Sequence, residues 1–113
     1  VLLITHDLAV VSEMADRVAV MYAGRIVEQA STTSLFSTPS HPYTQALLAS
    51  VPGTVPGVRL RTIAGNVPAL GQLPAGCTFA PRCESRFEAC EERPLLAPTT
   101  ANHDVRCFLY TAR

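Results

Sequence analysis

Two groupings of side chains in this sequence have the types and spacing for chemistry. The first is His6, which follows the apolar run Val1 to Ile4 and Thr5 and precedes Asp7, in the stretch VLLITHD. The second is four cysteines, Cys77, Cys83, Cys90 and Cys107, spaced C-x5-C-x6-C-x16-C. An imidazole titrates near neutrality, so it can donate, accept or relay a proton. A histidine at the carboxyl end of a buried strand also stands where open α/β sheets bind ligands, beside the positive end of the next helix. The plainer alternative is a ring hydrogen-bonded at the rim of a sheet. Four thiols can hold a metal or pair with one another. Their spacing lacks the C-x2-C knuckles of common zinc modules and is not that of a thioredoxin-like pair. Wide, uneven spacing suits either zinc or a cubane iron–sulfur cluster, while three disulfide pairings and free thiols stay open.

The other two histidines read differently. His41 precedes Pro42, which places it at a helix start, where capping is its expected duty. His103 lies four residues before Cys107, close enough to serve as a ligand or as a donor behind one.

These residues need elements to position them. Val1 to Ile4 has the continuous apolar character of a strand covered on both faces in a parallel sheet. Asp7 can cap a helix whose buried stripe is Leu8, Val11 and Met14 or Ala15. Arg17 to Tyr22 (RVAVMY) and Arg25 to Gln29 (RIVEQ) read as strands joined by a turn at Ala23-Gly24. Ser31 to Ser37 reads as a short helix that Pro39 stops. In SHPYTQALLAS, Ser40 or His41 caps, Pro42 takes the first helical position, and Tyr43, Ala46, Leu47 and Ser50 share a face up to Pro52. Nine of the twenty-five residues from 52 to 76 are proline or glycine, which makes a connector, with Leu60 to Ile63 a candidate strand inside it. Residues 77–113 have little periodicity. The expected division is therefore 1–51, a linker over 52–76, and a cysteine-rich part over 77–113.

Composition narrows the classes. The chain has 113 residues, is 48% hydrophobic and balances nine basic against nine acidic residues. That is enough for one modest core, and it gives no net field toward nucleic acid or an anionic membrane. No apolar run approaches the eighteen or so residues of a membrane helix. Every cation is an arginine.

The stretch VLLITHDLAVVSEMADRVAVMYAGRIVE resembles the part of ABC transporter ATPases that carries the switch histidine and runs on to the end of the nucleotide-binding domain. LFSTPSHPYTQALLASVPG, with His41, Pro42, Tyr43 and Thr44, resembles the region just beyond that domain in ATP-binding subunits of dipeptide and oligopeptide importers. IAGNVPALGQLPAGCTFAPRC extends the likeness into the cysteines, so it covers nearly the whole chain. The resemblance implies an α/β fold, the C-terminal fragment of an ABC-type P-loop NTPase domain followed by a small irregular cysteine-rich module. It implies that His6 contacts the γ-phosphate and the attacking water, donating a hydrogen bond to charge that grows in the transition state. Asp7 is better suited to capping than to a second acid role. ATP and Mg2+ are implied for the intact protein only. No G-x-x-x-x-G-K-[ST] cradle, Q-loop, signature motif or magnesium carboxylate precedes His6, so the fragment alone is expected neither to bind nor to hydrolyse ATP.

The partners implied are a second ATPase subunit, identical or paralogous, and transmembrane permease subunits, with no nucleic acid and no insertion in the membrane. The location implied is the cytoplasmic face of the cell membrane. In that reducing compartment clustered cysteines more often bind metal than pair. The resemblance favours a [4Fe-4S] cluster on Cys77, Cys83, Cys90 and Cys107, with Zn2+ as the alternative. An independent metal-bound structural or regulatory module is the competing reading of 77–113.

Overall fold

The computed structural model of the chain describes residues 2–50, 65–69, 71–100 and 102–110. Helix α1 spans Leu8–Met14, and Asp7 caps it by accepting from the amides of Ala9 and Val10 at 3.0 and 3.3 Å. Strands β1 (Arg17–Tyr22) and β2 (Arg25–Ser31) form an antiparallel hairpin. Its two turn residues, Ala23 and Gly24, have φ of 51° and 80°, the paired positive values that match the twist of the flanking strands. Helix α2 (Thr32–Ser37) starts on the Ser31 hydroxyl, which accepts from the Ser34 amide. Helix α3 (Pro42–Ala49) starts on His41, with proline in its first turn. Two short 3-10 turns, Ala80–Arg82 and Glu88–Glu91, lie among the cysteines, and strands β3 (Ala97–Thr100) and β4 (His103–Val105) follow.

The four strands make one sheet in the order β1-β2-β4-β3, with all pairings antiparallel. This corrects two expectations. Leu2, Leu3 and Ile4 form no strand, and Leu2 and Ile4 are 87% and 86% exposed. An apolar run becomes a buried strand only where neighbours exist to pair with it, and none of the described strands does so. The cysteine-bearing region is also not an irregular module set apart. It supplies β3 and β4 to the hairpin's sheet, and its Phe79 joins the same core as Val20, Tyr22, Val27, Ala30 and Leu35. Long-range pairing of β2 with β4 incorporates it. Of the connector, residues 52–64 and 70 lie outside the described residues, and with them the candidate strand Leu60 to Ile63.

Aromatic packing reinforces that union. Tyr22 of β1, Tyr43 of α3 and Phe79 stand with ring centroids 4.7 to 5.4 Å apart, the Tyr22–Phe79 pair edge to face. Arg82 covers the Tyr22 ring at 5.8 Å and donates to its hydroxyl at 3.2 Å. Such pairs add about 0.5–1.5 kcal/mol beyond the area they bury.

Candidate functional site

The polar centre of the molecule is built on a break in β2. The β1–β2 register shifts between Val20 and Met21, so that Val20 faces Glu28 while Met21 faces Ile26. One extra residue on β2 interrupts strict alternation, and Val27 and Glu28 are both buried. Glu28, with no exposed surface, accepts from the amides of Ser40 and His41 at 2.9 and 2.8 Å. Its Oε2 also lies 2.5 Å from Nε2 of His103 in β4. Three segments thus converge on one carboxyl group: the hairpin, the start of α3 and the last strand. A buried charge or polar group is tolerated only with such partners.

His41 occupies the same centre. Its Nδ1 accepts the Tyr43 amide at 3.0 Å, which requires that nitrogen to carry no proton. Burial pushes its pKa down to about 4, against the upward pulls of Glu28 and the Arg106 backbone. The ring is therefore neutral, and its duty is to cap α3. Thr44, one turn into α3, is buried, and its hydroxyl has no hydrogen-bond partner among the described residues.

The four thiols occupy a shared neighbourhood in a different sense. Burial raises Cys107 to about 11, and the thiols of Cys77, Cys83 and Cys90 push it the same way. Burial also raises Cys77 and Cys83, and Cys90 adds to both. Backbone amides oppose these shifts: those of Phe79 and Ala80 at Cys77, of Ser85 at Cys83 and of Leu109 at Cys107. Each of these donors lies two or three residues after its sulfur, because each cysteine opens a tight turn. Even so, among the described residues no group of three or more His, Cys, Asp or Glu side chains stands at metal-ligating geometry. The structure as it stands does not support the expected four-cysteine metal site, and no disulfide joins the four cysteines.

His6 is exposed, immediately before the α1 cap, and no described hydrogen bond joins it to the cysteines or to the Glu28 centre. His103 is engaged with Glu28 rather than with a sulfur. The residue that sequence reasoning missed is Glu28, which looks like any outward acid in RIVEQ. The one local signal was an acid between Val27 and a strand's end, two residues from buried Ala30 and so on its face.

The comparisons with known proteins bear on these residues directly. Residues 27–90, from β2 through the HPYT helix to the third cysteine, match the model of the family described as oligopeptide/dipeptide transporter, C-terminal region. The chain belongs to that family. It is 50% identical over 113 aligned residues to the oligopeptide transport ATP-binding protein AppD of Bacillus subtilis, covering 97% of this chain and 34% of that protein. It is also 50% identical over 111 residues to a protein of Sinorhizobium fredii named "Probable peptide ABC transporter ATP-binding protein", covering 96% of this chain and 33% of that one. The chain thus spans about a third of the length of the curated relatives it matches. Within this transporter C-terminal region, the family match covers both Glu28 and the helix start that it holds. No described helix is long and apolar enough to cross a membrane.

Proposed function

We propose that this chain is the C-terminal part of an ATP-binding subunit that drives peptide import by an ABC transporter, with His6 as its switch histidine. The observation that carries this reading is the combination of the family match over residues 27–90 with 50% identity to peptide-transport ATP-binding proteins over nearly the whole chain. ATP and Mg2+ act in the intact subunit, whose other residues supply the phosphate cradle. The implied partners are a second ATP-binding subunit and membrane permease subunits, which place the assembly at the cytoplasmic face of the membrane. Exposure of His6 is consistent with a ring that must reach a nucleotide bound elsewhere in that subunit. Positioning and electrostatic stabilisation dominate phosphoryl transfer, and a ring donating to the developing charge supplies both.

For the cysteines the proposal is a [4Fe-4S] cluster, with Zn2+ as the alternative. The donor chemistry supports it: four thiols lie within electrostatic reach of one another, and backbone amides aimed at three of the sulfurs would stabilise thiolates. The present arrangement falls short of ligating geometry, so binding requires the turns bearing Cys77, Cys83, Cys90 and Cys107 to draw together. Either group, once bound, would supply a crosslink among those turns.

Turnover by the intact subunit tests the main reading. His6→Ala should leave nucleotide binding nearly unchanged and lower hydrolysis by about 10²-fold or more, because it removes an interaction made mainly in the transition state. Normal turnover would end the assignment. The chain alone should show no rise in melting temperature with millimolar ATP, since a ligand that does not bind the native state cannot stabilise it.

A further inference from the structure

Gly76 and Cys77 run hard against the backbone of Cys90 and Glu91. A Cβ on Gly76 would stand 2.4 Å from the Cys90 carbonyl oxygen and 2.5 Å from the Glu91 carbonyl, so only glycine admits this approach. The next residue seals it: the Cys77 amide donates to the Cys90 carbonyl at 3.0 Å. That bond and the Gly76 approach hold the backbones of Cys77 and Cys90 directly against each other. A disulfide needs such neighbours, its Cα atoms standing about 4.4–6.8 Å apart. Cys77 and Cys90 also line one open cleft of about 520 Å³, together with Pro81 and Phe87, whereas Cys83 and Cys107 do not line it. Cys107 is buried. One pair is thus both close and reachable from solvent.

We infer that Cys77 and Cys90 form a reversible disulfide in the metal-free protein, by exchange with a small disulfide that enters the cleft. The thiolate of one cysteine attacks the small disulfide, forming a mixed disulfide and expelling one small thiolate. The second cysteine attacks the protein sulfur of that mixed disulfide and expels the other. The two protein thiols lose two electrons and two protons, and the small disulfide is reduced to two thiols. This goes beyond the metal reading and does not rest on it, because it concerns protein from which metal has been removed.

The whole chain, stripped with a chelator and kept from oxygen, is incubated with oxidised glutathione and then digested with trypsin without reduction. Cleavage after arginine separates all four cysteines, into residues 62–82, 83–86, 87–106 and 107–113, because Pro94 blocks cutting after Arg93. The expected product has lost two hydrogens, joins 62–82 to 87–106 and reverts with dithiothreitol. Cys90→Ser should stop at a glutathione adduct on Cys77, and Cys83→Ser should still form the link. Gly76→Ala should close at least about tenfold more slowly, provided circular dichroism shows a folded chain. A dominant link between 83–86 and 107–113, or four thiols still open to alkylation in folded wild-type protein, would overturn the inference.

Discussion

The ring of His103 lies 2.5 Å from the carboxyl group of Glu28, 75 residues away in sequence, and the contact is buried on both sides. It locks the last strand to the hairpin at the point where the start of α3 is also held.

Removing that carboxyl group should therefore cost far more than a surface acid would. Glu28→Ala strands the Ser40 and His41 amides and the His103 ring at once. A loss of about 3–5 kcal/mol in unfolding free energy is expected, the range for breaking a buried pair by deleting one partner. Urea denaturation measures it, and a loss below about 1 kcal/mol would deny Glu28 its central place.

Acid should weaken the fold through His41. Its pKa is lowered from 6.5 to about 4 by burial, so the unfolded chain binds the proton first. Stability from this group is complete above pH 6.5 and is lost as pH falls from there toward 4. Between pH 7 and 5 the loss is about 2 kcal/mol. Asparagine also caps helices and does not titrate here, so His41→Asn should flatten the difference. Equal pH slopes in the two proteins would contradict a neutral, capping ring.

Thr44 offers a gain. Its buried hydroxyl has no partner among the described residues, and such a group costs about 1–3 kcal/mol. Thr44→Val keeps the shape and removes the orphan, so thermal denaturation should show a stabilisation of about 1 kcal/mol. Destabilisation instead would show that the hydroxyl is satisfied in solution.

Metal binding should be strongly pH-dependent. The Cys77, Cys83 and Cys107 thiols are all raised, Cys107 to about 11, and each must give up its proton to bind. Apparent zinc affinity should climb about tenfold per pH unit for each proton released. Chelator competition at pH 6.5 and 7.5 reads the slope, and a flat result would exclude thiolate ligation. Protein purified without oxygen should be brown and carry iron and acid-labile sulfide in equal amounts on the cluster reading. Colourless protein with one zinc per chain would select zinc.

Local signals in the sequence were legible where local physics decides. Asp7, the Ala23-Gly24 turn and His41-Pro42 each act within a few residues, and each sits where the sequence indicated. Leu2 to Ile4 misled because apolarity marks a strand only when partners exist, and the partners are not a property of those residues. Glu28, Phe79 and His103 were opaque for a related reason. The pairing of Glu28 with Val105 that brings them together is a matter of register between distant segments, which no local spacing encodes. The number and spacing of the cysteines were visible in the sequence, while their closeness to one another became visible only in three dimensions.

In the sheet order, the last of the described strands, β4, is an interior one, lying between β2 and β3. A ribosome delivers β2 long before residue 105, so throughout that interval the β2 edge has no permanent neighbour. An open edge is a template for wrong pairings. Newly made chain must therefore either be shielded or wait, and its folding speed is set by closing the longest loop rather than by forming its helices. A nonsense change just before His103 would remove β4 and leave that edge open for good.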